Sequence, residues 1–234
     1  MYKIVFILFY GITLYADFFS YSKGLLNSFS AEDSLMSNSS VKKYINSRNC
    51  NQILDKGEFV ICYDYKKKGA LFVAYQLKSK HITKKSVQNR QSWFKLDMDI
   101  PRRYQSHHND YKKAGYDRGH LASHASFSYS KSASEKTYIA SNIVPMKKEL
   151  NRPGGAWFKL EQIERKLAET KDILVINKVV YNTERSRRIG DNKIAIPISY
   201  NKMFVSDEGK ECYTVDSKRK TREPTKDSKC KKFK

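Results

Sequence analysis

The sequence is poor in acidic residues, and this shortage limits the kinds of partner it can have. Only 24 Asp and Glu stand against 45 Lys and Arg, so the formal net charge is +21 and the pI is near 9.7. Such an excess favours polyanionic partners, with nucleic acid first among them. Anionic lipid, anionic polysaccharide and simple solubility through self-repulsion are the alternatives.

Cysteine is also scarce, and the spacing of the four cysteines excludes a familiar class of site. Cys50, Cys62, Cys212 and Cys230 lack the short CxxC spacing of zinc centres, and nothing around them indicates catalytic thiols. Structural disulfides are therefore expected. Four cysteines permit three connectivities, and their grouping in two sequence-local pairs favours Cys50–Cys62 and Cys212–Cys230.

The N-terminus has the pattern of an export signal. Residues 1–16 combine an early lysine with an apolar stretch that ends in a small residue, Ala16. The stretch is too short for a comfortable membrane span, so cleavage near Ala16 is expected, with an uncleaved anchor as the alternative. The mature protein would then be secreted, periplasmic or bound to the cell surface. Residues 17–49, rich in Ser, Asn and Lys, are predicted to form a flexible arm that becomes ordered at its end.

The rest of the sequence predicts one domain that mixes strands and helices. Near-helical spacing of apolar residues predicts a helix over 154–167 and a shorter one near 132–139. Pro197 limits the strand that contains it to an edge or an irregular position. Four segments have the β-branched and aromatic composition of strands: 59–65, 71–77, 173–181 and 193–205.

No internal repeat and no clear domain boundary interrupt this pattern. The folded domain is therefore predicted over residues 50–216. The basic segment that follows, 217–234, is predicted to be a solvated tail that only Cys230 would pin to the domain.

The segment Asp117-Arg118-Gly119-His120 is the most informative part of the chain. Histidine is the side chain best suited to remove a proton from water near neutral pH. The neighbouring arginine and glycine offer positive charge and a close backbone approach. These four residues alone do not establish an activity.

Further candidate residues follow in the sequence. Asn142 lies in SNIVPM, Asn151 in ELNRPGGAW, and Glu161 and Arg165 in KLEQIER. Glu161 and Arg165 are four residues apart and would share a helix face, where a carboxylate could hold metal-bound water and a guanidinium could bind a phosphate. Two simpler interpretations stay open: an ordinary helix ion pair for Glu161 and Arg165, and a turn-capping role for Asn142 before Pro145.

In this order, DRGH, SNIVPM, LNR…GAW and LEQIER resemble the DNA/RNA non-specific endonuclease family of ββα-metal nucleases, over about residues 58–205. The resemblance implies an α+β fold: a mixed or antiparallel central sheet flanked by helices, with a ββα-metal finger at the active site. It also implies a hydrolase that cuts single- and double-stranded DNA and RNA and leaves 5′-phosphates, and the signal-like residues 1–16 would make this hydrolase an exported one. No small-molecule cofactor is implied, and a homodimer is allowed.

The resemblance assigns a role to each candidate residue. His120 would be the general base, and Asn151 the direct protein ligand of Mg²⁺, with Mn²⁺ or another divalent ion as alternatives. Glu161 would bind the same ion through water, a plausible arrangement because Mg²⁺ keeps several of its waters. Arg118 and Asn142 would complete the catalytic set.

Two arginines and one departure from the family pattern complete this prediction. Arg90 in NRQSWFK and Arg165 would contact the substrate phosphate. The segment Arg152 to Gly155 separates Asn151 from the helix by about two more residues than the family pattern does, and a local bulge that keeps Asn151 in place is expected.

The remaining histidines and tryptophans are expected to have structural roles. His81, His107, His108 and His124 are interpreted as structural or solvated, and Trp93 and Trp157 as packing residues rather than base-stacking platforms. Two rival functions stay open: a catalytically silent cationic protein that binds nucleic acid or acts as an adhesin, and a nuclease toxin delivered into another cell.

Overall fold

An antiparallel sheet of seven strands forms the centre of the protein, with strand order β1-β2-β3-β6-β9-β10-β11. The computed structural model describes residues 34–84, 86, 91–182, 185–218 and 222–233. In chain order the strands are β1 (Gln52–Asp55), β2 (Phe59–Asp64), β3 (Gly69–Leu77), β4 (Asp117–His120), β5 (Ile143–Met146), β6 (Ile173–Val180), β7 (Arg188–Ile189), β8 (Ile194–Ala195), β9 (Ser199–Ser206), β10 (Gly209–Asp216) and β11 (Thr225–Lys226). β4 pairs with β5 and β7 with β8, outside the main sheet.

Helices are few and mostly short. They are α1 (Ser39–Tyr44), α2 (Ser79–Ile82), α3 (Lys131–Lys136), α4 (Lys148–Asn151) and α5 (Ala156–Ala168), with 3₁₀ turns at Leu35–Ser37, Arg102–Tyr104, His108–Tyr111, His124–Phe127, Ala140–Asn142 and Lys231–Phe233. The predicted α+β class and both predicted helices are confirmed. Within the described ranges, no helix is long and apolar enough to cross a membrane.

The sheet buries both of its faces. The larger hydrophobic cluster lies on the face covered by α5, which contributes the fully buried Trp157 and Leu160. The opposite cluster is closed by Val41 and Tyr44 of α1 and by Phe233 near the C-terminus. Burial on both faces explains why β2 has an almost continuous apolar sequence rather than an alternating one.

The end of the predicted arm is ordered, as expected, whereas the C-terminal segment differs from the prediction. The last part of the predicted flexible arm, residues 34–49, is packed onto the sheet, because Val41 and Ile45 present an apolar face to it. The predicted basic tail adds strand β11 to the edge of β10 and buries Phe233. The predicted signal segment, residues 1–16, and the first part of the arm lie outside the described residues.

Of the two alternatives for the strand predicted over 193–205, the structure has the irregular strand and not the edge strand. Pro197 lies in the break between β8 and β9, and β9 itself pairs on one side with β6 and on the other with β10. The missing N–H of Pro197 therefore limits only the start of the strand, and the residues after it occupy the interior of the sheet.

Both predicted disulfides are present. Cys50 pairs with Cys62, and Cys212 pairs with Cys230. The first links the segment after α1 to strand β2, and the second links β10 to the C-terminal segment. Each disulfide therefore fixes one chain end to the same face of the sheet.

A buried ion pair connects α5 to the sheet beneath it. Glu164 of α5 and Lys202 of β9 are both 0% exposed, and their charged groups are in direct contact. The Glu164 carboxylate also accepts hydrogen bonds from Tyr75 Oη, at 3.0 and 2.9 Å, and from Ser126 Oγ at 2.6 Å. The Lys202 ammonium lies 4.7 Å from the ring centre of Trp157. One carboxylate thus fixes α5 to β3, to β9 and to the 3₁₀ turn that follows β4.

We expect Lys202→Met to lower the free energy of unfolding by about 3–5 kcal/mol, because it leaves the Glu164 carboxylate buried without its cation. The double variant Glu164→Gln/Lys202→Met should recover much of this loss. Urea denaturation at constant m-value measures both effects.

The matched control is Lys171→Met, which removes the lysine from the pair with Glu208, a side chain that is 73% exposed. This exposed pair should contribute no more than about 1 kcal/mol. Equal losses for Lys202→Met and Lys171→Met would contradict the structural role of the buried pair.

Candidate active site

Strand β4 carries the DRGH segment and pairs antiparallel with β5. A Cβ atom at Gly119 would come within 2.7 Å of Met146 Cβ, so only glycine allows the two strands this close approach. The third residue of the segment is therefore fixed by packing, and the fourth, His120, occupies the end of the strand.

The His120 ring is held among aromatic side chains. Its centre lies 5.1 Å from that of Phe94 and 5.0 Å from that of Tyr138, which meets it edge-on. The His120 carbonyl oxygen accepts a hydrogen bond from Trp157 Nε1 at 3.0 Å. Because Trp157 belongs to the first turn of α5, this bond joins the strand that carries the candidate base to the helix that carries Glu161.

Asn142 supports the backbone after His120. Its Oδ1 accepts a hydrogen bond from the N–H of Ala122 at 2.8 Å, and its Nδ2 donates to the carbonyls of Ala122 and Thr137 at 3.0 and 2.9 Å. The side chain is fully buried. Since every one of these bonds goes to backbone, the structure gives Asn142 a positioning role for the His120 segment.

Asn151, the candidate metal ligand, lies at the end of α4 and contacts the first residue of β4. Its Nδ2 donates to Asp117 Oδ2 at 3.3 Å. The amide oxygen makes no hydrogen bond within the described part of the chain. Arg152 donates two hydrogen bonds to the same carboxylate, from Nε to Oδ2 at 2.9 Å and from Nη2 to Oδ1 at 2.8 Å. The hydrogen bonds from Arg152 lower the pKa of Asp117, although partial burial acts to raise it. The hydrogen bond from the Asn151 amide lowers this pKa further.

The extra residues between Asn151 and α5 form a tight turn. Gly154 has a φ of +85°, and a Cβ atom at Gly155 would come within 2.3 Å of the Leu150 carbonyl oxygen. The two glycines let α5 begin at Ala156, directly after the turn, while Asn151 keeps its contact with β4. The turn thus has the compact form expected of a bulge, and Arg152 of this insertion holds Asp117.

Glu161 lies one helical turn after Trp157 and is half-buried. Burial raises the pKa of Glu161 to about 7. The Lys202 ammonium lowers this pKa, and the Glu164 carboxylate raises it further. Because burial makes the ionised form of Glu161 costly, a nearby cation would stabilise that form.

Arg165 follows Glu161 on the same helix face and lines a cavity of about 300 Å³ together with Lys84, Ser128 and Tyr129. Its Nη1 is buried and has no hydrogen-bond partner among the residues that the structure describes. The salt bridges between described residues do not include a Glu161–Arg165 pair, which argues against the ordinary helix ion pair. One nitrogen of the guanidinium thus lacks an acceptor among the described residues.

The structure describes Arg118 but not Arg90, the two other arginines of the predicted set. Arg118 donates from Nη2 to the His108 carbonyl oxygen at 3.1 Å and lies 5.7 Å from the ring of Tyr111. It therefore holds the 3₁₀ turn beside β4. The predicted phosphate contact of Arg90 lies outside the described residues.

The donors near β4 and α5 fit a hard divalent cation that keeps most of its water. In the described ranges, no cluster of three or more His, Cys, Asp or Glu side chains could hold a metal ion. The Asn151 amide and the Glu161 carboxylate supply oxygen donors, which are chemically compatible with a hard divalent cation that keeps most of its water.

Sequence reasoning missed three parts of this site. It gave no role to Asp117, although the residue belongs to the DRGH segment. It did not pair Glu164 with Lys202, which are 38 positions apart and carry no local signal of contact. It also overlooked Phe94 beside His120, where the apolar dipeptide Trp93-Phe94 in a polar segment was the available sign.

Comparisons with known proteins agree with this geometry. The sequence model of the DNA/RNA non-specific endonuclease family matches residues 36–231, a span that exceeds the predicted 50–216 domain at both ends. A solved structure of an EndoG/EndoGI complex shares the fold, with a TM-score of 0.64, 23% identity, and coverage of 77% of this chain and 81% of that one.

Curated relatives include mitochondrial nucleases. Mitochondrial endonuclease G of Homo sapiens is 29% identical over 164 residues, which is 66% of this chain and 54% of that protein. The Bos taurus protein of the same name is 30% identical over 165 residues, with the same coverage of 66% and 54%. The mitochondrial nuclease of Saccharomyces cerevisiae is 26% identical over 172 residues, or 67% and 51%. The matched part spans about half the length of these relatives. By the match over residues 36–231, the chain belongs to the DNA/RNA non-specific endonuclease family.

Proposed function

We propose that the protein is an exported, metal-dependent endonuclease that hydrolyses DNA and RNA without sequence or sugar preference and leaves 5′-phosphates. One observation carries this proposal: strand β4 is bonded at both ends to the candidate metal-site elements. Asp117 at its start holds Asn151, and His120 at its end is bonded through its carbonyl oxygen to the helix of Glu161. These two bonds support the proposal, because they join the strand of the candidate base to the elements that carry the candidate cation ligands.

His120 acts as the general base in this proposal. Its imidazole takes a proton from a water molecule, which then attacks the phosphorus in line with the departing 3′ oxygen. The packing of Phe94 and Tyr138 restricts the ring, and the bonds of Asn142 restrict the backbone behind it. Since the nucleophile is water and not a ribose 2′-hydroxyl, DNA and RNA are both substrates.

Asn151 and Glu161 would hold the cation, Asn151 through its amide oxygen and Glu161 through water. Bound there, Mg²⁺ or another divalent ion supplies charge neutralisation on the phosphate and on the departing oxygen. Asp117 accepts a hydrogen bond from Asn151 Nδ2, so the amide oxygen would remain for the cation. Asp117 is a positioning residue for this ligand, and Arg152 keeps its carboxylate ionised.

The substrate is recognised through its backbone. Arg165 offers a guanidinium whose Nη1 has no hydrogen-bond partner among the described residues, and Arg90 is proposed as a second phosphate contact. The net charge of +21 adds a general attraction to single- and double-stranded nucleic acid. Contacts of this kind carry little sequence information and weaken with added salt.

Export is supported by the pattern of residues 1–16 and by the two disulfides, which persist in oxidising compartments. A silent nucleic-acid-binding protein or adhesin would not require a base next to a cation site. A delivered toxin would share the chemistry, so the site does not favour it over an exported nuclease.

Digestion of plasmid DNA and of total RNA by the wild type should require a divalent cation and stop with a chelator. His120→Ala should lower the cleavage rate by about 10²–10⁴-fold, the usual contribution of a general base. Added imidazole should restore part of the rate to this variant, because it fills the space and the role of the missing ring.

The products should accept a labelled 5′-phosphate from polynucleotide kinase only after phosphatase treatment. A wild type that binds DNA but cuts neither polymer with any divalent ion would overturn the catalytic proposal. Full activity of His120→Ala would overturn the assigned base.

The role of Asp117 is tested separately through metal affinity. Asp117→Ala should weaken Mn²⁺ binding by about 10–100-fold, as expected when the partner of a metal ligand is lost. Arg152→Ala should have a smaller effect, because the Arg152 side chain is 63% exposed and acts one step further from the ion. Calorimetry measures both affinities. Unchanged binding by Asp117→Ala would show that Asp117 does not orient Asn151.

A further inference from the structure

The two tryptophans of the chain have opposite environments. Trp157 is 0% exposed and belongs to the core, whereas Trp93 is 56% exposed. Single exposed apolar side chains are common on protein surfaces, so the exposure of Trp93 is informative only together with a fixed orientation. The expectation that Trp93 is a packing residue does not agree with this exposure.

Trp93 is nevertheless held in a defined orientation. Its ring stacks on that of His108, with 4.0 Å between the ring centres and 17° between the planes. His108 is itself fixed, because its Nδ1 accepts the N–H of Phe94 at 3.4 Å and its carbonyl oxygen accepts Arg118. One face of the indole is therefore covered by His108, and the opposite face accounts for its exposure.

The stacked pair lies next to the candidate base. Phe94 follows Trp93 in the chain, and its ring centre lies 6.2 Å from that of His108 and 5.1 Å from that of His120. The backbone here is pinned, since Lys95 N–H donates to the Tyr138 carbonyl at 2.9 Å and Ala140 N–H donates to the Lys95 carbonyl at 2.8 Å. A flat apolar surface is thus fixed near His120, connected to it through the rings of His108 and Phe94.

We propose that the exposed face of Trp93 stacks on an unpaired nucleobase of single-stranded DNA or RNA, next to the phosphodiester that occupies the active site. This inference rests on the proposed nuclease function. The surface offers a π-face to a flat ring, and every base has such a face, so the contact is tolerant of sequence. The strong positive charge of the chain selects a polyanion as the occupant.

The same geometry separates single strands from duplexes. In a duplex, each base already stacks on its neighbours and presents only its edge in the grooves. An unpaired base can turn its face toward Trp93, whereas a paired base must first leave its stack. Trp93 therefore favours binding of single-stranded over double-stranded substrate.

The test uses tryptophan fluorescence of His120→Ala, without divalent ions, titrated with single-stranded oligothymidylate. Stacking should quench the emission of Trp93, while the buried Trp157 gives a constant background. Adding Trp93→Ala should weaken oligothymidylate binding about tenfold, within the range known for base stacking. Trp93→Phe should retain most of the affinity, because phenylalanine keeps a π-face, while the quenching disappears.

Two controls separate stacking from other effects. An abasic oligomer of equal length and charge should bind His120→Ala and His120→Ala/Trp93→Ala equally, and the salt dependence should not change, because no phosphate contact is lost. Met98, which is 90% exposed, supplies the matched surface variant Met98→Ala, which should leave the affinity unchanged.

The proposal would be overturned by no quenching of Trp93, by an equal loss of affinity for the abasic oligomer, or by a larger loss for duplex than for single strand. A protein that binds neither oligomer also overturns it. Cleavage of plasmid DNA by the wild type does not depend on these results, so a failure of the stacking proposal is distinguishable from a failure of the proposed function.

Discussion

The buried carboxylate of Glu164 is the contact on which the arrangement of the site depends. It takes hydrogen bonds from Tyr75 and Ser126 and an ion pair from Lys202, so three separate segments meet on one side chain of α5. A buried charge left without partners is costly, and this cost opposes any shift of α5 relative to the sheet. The position of Glu161, one turn earlier, follows from that restriction.

The fixed position of α5 also restricts β4, the strand that carries the candidate base. Trp157 contributes a hydrogen bond to the carbonyl of His120, and Asn142 and Asn177 satisfy the backbone of the next two residues, Leu121 and Ala122. These are neutral hydrogen bonds made inside the protein, where unpaired polar groups are costly. The backbone around His120 is therefore fixed before any substrate arrives, which is the condition for effective general-base catalysis.

The site also shows how one family pattern accommodates an insertion. The added residues after Asn151 do not move the helix away from β4, because two glycines allow a turn that would otherwise collide with the backbone of α4. The insertion contributes Arg152, which donates hydrogen bonds to the Asp117 carboxylate. The same carboxylate accepts a hydrogen bond from Asn151. The exposed Trp93 is a second local feature, and it extends the site from phosphate chemistry toward recognition of the bases.

The sequence by itself determined the class of fold, the two disulfides, the long helix and the order of the motifs that show the family. These are local features: composition, periodicity, neighbouring cysteines and short motifs keep their meaning without knowledge of distant contacts. Only the tertiary structure decided that Asn142 serves the backbone, that Asp117 holds Asn151, that β9 is interior despite Pro197, and that Lys202 neutralises Glu164. Each of these depends on side chains that are remote in sequence and close in space, and no local pattern records which buried polar groups must satisfy one another.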